Sequence, residues 1–288
     1  MPGSALITGA YGYLGSVIRS RLESAGWQTT ALVRSPRPGD RAARWRLDSN
    51  PGAAPFDGAS ALVHCAYDLV ARSRDDVWRI NVAGTAQLLA AARAHGVDRL
   101  LVLSSMSAYP GTQQLYGRAK LAIEESTLAH GGVAIRPGLT YGDDPSGMAG
   151  ALLKLTRLPL VPVIGGGAQQ FPVHQDDLAG VIEMVLEAPD WVPEVFGVAQ
   201  PDPVSFRCLL EALARQRGRT CRFVPIPWQL VYWALRLAEL SPVQPPLRSD
   251  SVLGLVHPAP RVQPSHAFPE MLSQLRTLTT TESPMEVK

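Results

Sequence analysis

The amino-acid sequence predicts an α/β protein with a doubly wound parallel sheet and a small C-terminal α+β cap. Two observations lead to this fold class: runs typical of strands alternate with helical patterns, and these runs are continuously apolar. The strand candidates are residues 5–8, 29–33, 61–64, 100–103 and 133–135. Continuous apolarity indicates strands that are buried on both faces, as in a parallel sheet covered by helices on both sides.

Helical patterns fill the gaps between these strands. Apolar residues recur every four positions in residues 14–25, and residues 77–95 form an Ala- and Leu-rich amphipathic stretch that ends at Gly96. After Gly142, proline and glycine break the pattern, until a regular helix begins near Asp176.

The cap is predicted from a helix, a strand and a second helix near the C-terminus. These elements cover residues 206–215, 221–225 and 227–240. On the last helix, one apolar face is expected to hold Trp228, Val231, Tyr232 and Leu235, with Trp233 pointing elsewhere.

Composition and charge exclude several classes of protein. Hydrophobic residues make up 46% and charged residues 18% of the 288 residues, which is typical of a globular protein. A formal net charge of +2 argues against a nucleic-acid partner. The three cysteines lie far apart without metal-ligand spacing, so we expect no metal site. There is no signal-peptide pattern, and the most apolar helix is too short to span a bilayer, which predicts a cytoplasmic protein with no membrane partner.

A glycine-rich turn joins the first strand to the first helix. It reads Thr8-Gly9-Ala10-Tyr11-Gly12-Tyr13-Leu14-Gly15. Glycines here allow a sharp turn and let the backbone approach a pyrophosphate, which then meets the free N–H groups of the helix. Because the turn stands between a strand and an amphipathic helix, it predicts a dinucleotide site in a Rossmann domain. A tight turn without a ligand is the alternative.

The end of the second strand bears on the choice of dinucleotide. An acidic residue there would bind the ribose hydroxyls of NAD, but the segment reads Val33-Arg34-Ser35-Pro36-Arg37. Arg34 can contact a 2′-phosphate through two N–H groups, with Ser35 donating a further hydrogen bond, so NADP(H) is favoured over NAD(H). Solvated loop charges are the alternative. Asp48 is a candidate acceptor for the adenine amino group, with a turn role as its alternative.

Tyr116 and Lys120 form the candidate chemical pair. They are four residues apart on a predicted helix and therefore share one face. Ser105 follows the strand at 100–103, at the sheet edge where ligands bind. A free phenol has a pKa of about 10, and an ammonium about 4 Å away at an effective dielectric of about 20 contributes about 4 kcal/mol. We therefore expect Lys120 to lower the pKa of Tyr116 toward neutrality.

The chain resembles the extended branch of the short-chain dehydrogenase/reductase superfamily, the NAD(P)-dependent epimerase/dehydratase type. The resemblance covers roughly residues 4–180. It rests on motifs in the family order: the glycine turn, His64-Cys65-Ala66, Asn81-Val82-Ala83-Gly84-Thr85, residues 104–109, Tyr116 with Lys120, residues 136–142 and residues 173–179.

The resemblance implies roles for these residues. Ser105 would polarise the substrate oxygen, Tyr116 would be the acid/base, and Lys120 would assist it and hold the nicotinamide ribose. Asn81 completes the catalytic set by supporting the active-site helix. The expected cofactor-binding residues are Gly9, Tyr11, Gly12, Tyr13, Leu14, Gly15, Arg34, Ser35, Asp48, Cys65, Ala66, Tyr67, Tyr116, Lys120, Pro137 and Gly138.

The pattern of strands, helices and breaks also suggests a division of the chain. We expect residues 1–145 to form the Rossmann domain, with residues 171–200 returning to it. Residues 146–170 and 201–270 would form the substrate cap, and residues 271–288 a flexible tail.

Three functions follow from this sequence. The leading one is an NADP(H)-dependent oxidoreductase that moves hydride between nicotinamide and a carbonyl or alcohol of a small molecule. A sugar-nucleotide or related epimerase or dehydratase with a tightly held cofactor is the second, although the loop between Ser105 and Tyr116 is shorter than is usual in such enzymes. A non-catalytic NADP(H)-binding sensor or assembly protein is the third. A homodimer stays open as an alternative to a monomer.

Overall fold

The computed structural model describes residues 3–143, 145, 147–165, 167–215, 217–240 and 248–278. Its α-helices are α1 Tyr13–Ser24, α2 Arg74–Val77, α3 Gly84–Ala94, α4 Leu115–Ala129, α5 Gly147–Leu155, α6 Gln175–Glu187, α7 Phe206–Arg215, α8 Trp228–Ala238 and α9 Ser249–Val256. Its strands are β1 Ser4–Thr8, β2 Gln28–Val33, β3 Ala42–Arg44, β4 Ala61–His64, β5 Arg99–Leu103, β6 Val133–Pro137, β7 Leu139–Tyr141, β8 Leu160–Ile164, β9 Gln169–Gln170, β10 Pro172–His174, β11 Val195–Val198, β12 Val204–Ser205 and β13 Arg222–Ile226.

Seven parallel strands form the central sheet, in the order β11-β6-β5-β4-β1-β2-β3. The predicted doubly wound Rossmann fold is therefore confirmed. The strand order reverses direction between β1 and β4, which pair from Ala5 with Ala61 to Thr8 with His64. A crevice opens at the carboxyl ends of the strands at such a reversal, and ligands bind there.

Apolar side chains alternate between the two faces of the sheet, and each face packs against helices. On one face, Leu6 and Leu62 pack with Leu88 of α3. On the other, Ile7 packs with Ile18 of α1. Each such fully buried side chain contributes about 1.5–3 kcal/mol of hydrophobic stabilisation, so both helical layers are fixed to the sheet.

The predicted helix at residues 77–95 differs from the structure. The helical region begins earlier, at Arg74, where the Ser73 side chain caps α2 by accepting from the N–H of Asp76. A π-helical segment, Trp78–Ala83, then separates α2 from α3. The N–H of Asp68 donates to the side-chain oxygen of Asn81 within this segment, an interaction between distant residues that helical periodicity does not reveal.

The cap elements pack around a core of their own. Strands β8 and β13 pair in parallel, and helices α5, α7, α8 and α9 contribute apolar side chains to the same cluster. On α8, the residues packed against this cluster are Trp228, Val231, Tyr232 and Leu235, while Trp233 is exposed.

The expected flexible tail at 271–288 is wrong for residues 271–278. Met271 is buried against the core of the sheet, and Leu278 is buried in the cap cluster. Polar composition concealed these two anchors. The other residues of the expected tail, 279–288, lie outside the described residues. Within the described part of the chain, no helix has the length and apolar character needed to cross a membrane.

Candidate active site

A cleft of about 720 Å³ lies at the carboxyl ends of the strands, between the sheet and the cap. Most of the predicted site residues line it: Gly9, Gly12, Tyr13, Leu14, Gly15, Cys65, Tyr67, Ser105, Tyr116, Lys120, Pro137 and Gly138. Residues from the cap close its other side, among them Met148, Arg248 and Asp250. The fold therefore brings the glycine turn and the predicted chemical pair into one cavity.

The glycine turn forms a cradle that side chains would fill. Gly9 has a φ of 65°, which favours glycine. A Cβ on Gly15 would lie 2.2 Å from the carbonyl oxygen of Gly9. No side chain caps the first turn of α1, and the buried hydroxyl of Tyr13 has no hydrogen-bond partner among the described residues. These free donors at a helix N-terminus fit the pyrophosphate of a dinucleotide.

Beneath the turn, a buried network fixes the ends of β1 and β4. The N–H groups of Cys65 and Ala66 each donate to the hydroxyl oxygen of Thr8, at 3.1 Å. That hydroxyl is then left to donate to Nδ1 of His64, 2.7 Å away, so Nε2 of His64 carries the proton and faces Thr85. Burial and the charge of Lys120 lower the pKa of His64 to about 3. A neutral His64 is therefore a structural part of the cofactor floor.

Ser105, Tyr116 and Lys120 meet where β5 ends and α4 begins. Ser105 and Tyr116 both line the cleft here, and the Ser105 hydroxyl acts to lower the pKa of Tyr116. The ammonium of Lys120 donates to the carbonyl oxygen of Leu103 at 2.6 Å and lies 5.8 Å from the ring centre of Tyr116. It lies closer, at 4.8 Å, to the ring of Tyr67, so the cation is surrounded by two aromatic rings and a strand end.

The expected lowering of the Tyr116 pKa by Lys120 is wrong for this structure. Burial raises the pKa of Tyr116 to about 12, and only the hydrogen bond with Ser105 opposes that effect. Burial also lowers the pKa of Lys120 to about 8, despite the charge of Glu124. Desolvation outweighs attraction here because both groups are removed from water. Tyr116 therefore keeps its proton at neutral pH.

A buried ion pair supports the catalytic helix from behind. The guanidinium of Arg136 on β6 donates to both carboxylate oxygens of Glu124, at 2.8 and 2.7 Å. Ser104, next to Ser105, donates its hydroxyl to the same carboxylate. The sequence motifs include Arg136 and Ser104 but do not connect them to Glu124, which lies two helical turns from Tyr116.

The cap contributes a carboxylate that caps the catalytic helix. The N–H groups of Leu115 and Tyr116 donate to the two oxygens of Asp250, at 3.0 and 3.3 Å. Gln114, the residue before α4, donates its side-chain amide to the backbone carbonyl of Asp250 at 2.7 Å. Negative charge is favourable at a helix N-terminus. Asp250 is thus a positioning residue for Tyr116, and no local motif marks it.

Asn81 also lies apart from the chemistry. Its amide accepts from the N–H of Asp68 at 2.6 Å and donates to the carbonyl of Asp68 at 3.2 Å. It therefore holds the loop that carries Tyr67, rather than contacting α4 through its amide. Its expected support of the active-site helix stays a prediction.

Four predicted cofactor residues, Tyr11, Arg34, Ser35 and Asp48, lie outside the cleft lining. The Tyr11 hydroxyl donates to Asp40, and Asp48 pairs with Arg46. Arg34 and Ser35 are exposed at the end of β2, where Arg34 has no ion-pair partner among the described residues. A fifth predicted cofactor residue outside the lining is Ala66, whose N–H donates to the hydroxyl of Thr8.

Comparison with known proteins gives the family. Residues 5–199 match the model of the NAD dependent epimerase/dehydratase family, which is more than half of the chain. The chain belongs to this family. It is therefore an NAD(P)-dependent enzyme of the short-chain dehydrogenase/reductase type, as the sequence predicts.

Two similar proteins carry the names of reductases. The ceramide reductase of Caulobacter vibrioides is 24% identical over 248 residues, which are 78% of this chain and 74% of that protein. The 4-hydroxy-2-methyl-3-oxo-4-farnesyl-3,4-dihydroquinoline-1-oxide ketoreductase of Stigmatella aurantiaca is 26% identical over 267 residues, 81% of this chain and 79% of that protein.

A similar solved structure is MoeE5 in complex with UDP-glucose and NAD. It is 26% identical and superposes with a TM-score of 0.68, covering 78% of this chain and 85% of that chain. Its nicotinamide cofactor agrees with the cradle described above. The proteins that this chain resembles thus include both reductases and a protein that binds a sugar nucleotide.

The glycine cradle makes a direct prediction for this family member. A Gly15→Ala substitution should abolish dinucleotide binding, because the added Cβ would lie 2.2 Å from the backbone oxygen of Gly9 and displace the turn. Gly180→Ala is the matched control, since its Cβ would meet no atom within 4 Å and alanine favours the interior of α6. Isothermal titration with NADPH and NADH measures both. Equal affinity in the two variants would contradict the assigned cradle.

The capping carboxylate predicts a measurable loss of stability. Asp250→Ala should lower the free energy of unfolding by about 1 kcal/mol, as removal of an N-cap does. Ser251→Ala, one residue along α9, should change it by less than about 0.5 kcal/mol. Urea denaturation followed by circular dichroism compares the two. If both variants unfold like the parent protein, Asp250 does not hold α4.

Proposed function

We propose that this enzyme is an NADP(H)-dependent reductase that converts the carbonyl group of an apolar small molecule to an alcohol. The observation that supports it best is the meeting of Ser105, protonated Tyr116 and Lys120 in the cleft that also contains the glycine cradle. A proton donor is needed for reduction, and a phenol that keeps its proton at neutral pH meets that need.

The residues act together on one oxygen atom. When bound, a reduced nicotinamide supplies a hydride to the carbonyl carbon. Tyr116 donates its hydroxyl proton to the carbonyl oxygen, and Ser105 donates a hydrogen bond to the same oxygen. The π bond of the carbonyl group breaks as a C–H bond and an O–H bond form, which gives the alcohol. Tyr116 then regains a proton from solvent.

Lys120 favours this transfer through its charge. With a pKa of about 8, its ammonium is present at neutral pH. It therefore stabilises the phenolate that Tyr116 becomes when its proton leaves. Its hydrogen bond to the carbonyl of Leu103 fixes it at the end of β5, and its remaining N–H groups are suited to ribose hydroxyls.

The lining of the cleft supports an apolar substrate. On the cap side it consists largely of aliphatic and aromatic groups, among them Met148, Ala149, Phe171, Leu255 and Ala259. The two related reductases are named for ceramide and for a farnesyl-bearing quinoline oxide. A hydrophobic chain attached to a carbonyl fits such a lining.

An exposed Arg34 supports the preference for NADP(H). It stands at the carboxyl end of β2, and the nearest acid on the following loop, Asp40, is already paired with Arg19. The three cysteines are free thiols, as is usual in cytoplasmic proteins, and they support the cytoplasmic location expected from the sequence.

Tyr116→Phe tests the proposed chemistry. The variant should lose about 10²-fold or more in kcat for NADPH-dependent reduction of ethyl acetoacetate or a long-chain β-keto ester, because general acid catalysis is removed. Its affinity for NADPH, measured by titration calorimetry, should stay unchanged. Unchanged turnover of the ketone by the variant would refute the role of Tyr116.

The same assay separates the other two functions. The structural likeness to a protein bound to UDP-glucose favours an epimerase or dehydratase as the second candidate. That candidate predicts turnover of UDP-glucose with no net change in reduced-nicotinamide absorbance, and a cofactor that stays bound through gel filtration. Both results together would show an epimerase or dehydratase and refute the reductase. Tight NADPH binding without turnover of either class of substrate would leave a sensor or assembly protein.

Arg34→Ser tests the choice of cofactor. Loss of charge-assisted hydrogen bonds to the 2′-phosphate should raise the KM for NADPH by about 10- to 100-fold. The KM for NADH should not change, because NADH has no 2′-phosphate, and it serves as the internal control. Equal effects on both cofactors would show that Arg34 does not select NADP(H).

A further inference from the structure

Helix α8 is apolar on two opposite sides. Trp228, Val231, Tyr232 and Leu235 pack against the cap cluster. A second row, Leu230, Trp233, Leu237 and Leu240, follows a spacing of three and four residues and faces solvent; we call it the apolar cap face. Trp233 is 66% and Leu237 71% exposed. A helix that is apolar all round is normally buried, so this face lacks a partner in the described structure.

Two further exposed apolar residues lie at the mouth of the cleft. Leu69 is 62% and Val70 79% exposed, and they precede Ala71, which lines the cleft. The guanidinium of Arg248 donates to the carbonyl oxygen of Ala71 at 3.4 Å.

A short chain of contacts connects this mouth to the apolar cap face. Ser249, the neighbour of Arg248, donates through its N–H and hydroxyl to the carboxylate of Glu239, at 2.7 and 3.0 Å. Glu239 lies between Leu237 and Leu240, at the end of α8. The entrance to the cleft is therefore connected, through the start of α9, to the C-terminal end of α8, where the apolar cap face ends.

The charge around α8 differs from that of the whole chain. Residues 203–240 contain six arginines and two glutamates, a formal charge of +4, whereas the whole chain has +2. Arg236 lies beside the apolar cap face, three residues after Trp233, and pairs with Glu239 at 3.5 Å. Arg222 is exposed on β13 just before α8. Exposed aromatic and leucine side chains flanked by arginines are typical of a helix that lies in a lipid headgroup layer.

We propose that the apolar cap face, with Leu69 and Val70, rests on an anionic lipid bilayer and opens the cleft toward it. The lipid phase then delivers an apolar carbonyl substrate directly to Tyr116, and the product alcohol leaves the same way. This inference rests on the proposed function for its substrate. The sequence predicted no membrane partner because its most apolar helix is too short to span a bilayer. The present inference concerns contact with a membrane surface, which needs no spanning helix.

Vesicle flotation tests the surface. The parent protein should float with vesicles of phosphatidylglycerol and phosphatidylcholine, and less with phosphatidylcholine alone or at high salt, because screening weakens attraction to anionic headgroups. The double variant Trp233→Glu with Leu237→Glu should lower the partition coefficient at least about tenfold. Val192→Glu, which changes an exposed apolar residue elsewhere, is the control and should bind as the parent does.

The outcomes separate this inference from the proposed reductase activity. Reduction of ethyl acetoacetate in vesicle-free buffer should be the same in the double variant and the parent, while reduction of a long-chain β-keto ester embedded in vesicles should fall only in the double variant. No flotation of the parent, or equal flotation of all three proteins, overturns the membrane surface. A parent dimer that the double variant converts to a monomer, without flotation, assigns the face to self-association instead. Flotation without any reduction would retain the surface and refute the reductase.

Discussion

The position of helix α4 against the end of β5 is the constraint on which the site depends. Lys120 is tied to the last carbonyl of β5, Glu124 is held by Arg136 from β6, and Asp250 from the cap holds the first N–H groups of the helix. These contacts act at the middle, the far side and the N-terminus of the same helix. Since the hydroxyl of Tyr116, the proposed proton donor, is carried by this helix, three separate parts of the chain fix its distance from the glycine cradle.

Removal from water sets the chemistry as much as position does. Burial disfavours the charged form of each group, which is the phenolate of Tyr116 and the ammonium of Lys120. The pKa of Tyr116 therefore rises and that of Lys120 falls. At neutral pH, Tyr116 is therefore a protonated phenol, and it lies beside Lys120, a cation whose pKa is only slightly above the pH. Attraction between the two was the sequence-based expectation, and it underestimated desolvation because burial is a property of the assembled cleft.

Local patterns predicted the elements whose signals are local. The apolar strands, the glycine turn at Gly9–Gly15 and the pairing of Tyr116 with Lys120 on one face each follow from residues close in sequence, and so does the parallel sheet through its helical crossovers. Asp250 lies far along the chain from the helix it caps, and Glu124 meets Arg136 only through the packing of α4 on β6. The anchors Met271 and Leu278 were hidden in a polar segment for the same reason.

Contacts between helix termini connect α8 to α9 and α9 to α4. Glu239 ends α8 and binds the start of α9, while Asp250 in the first turn of α9 binds the start of α4. The start of α9 is therefore held by the end of α8, and the start of α4 is held by the first turn of α9. Free-energy coupling between binding events is reciprocal. Any factor by which the seating of α8 changes the affinity for a ligand at the N-terminus of α4 is therefore also the factor by which that ligand changes the seating of α8.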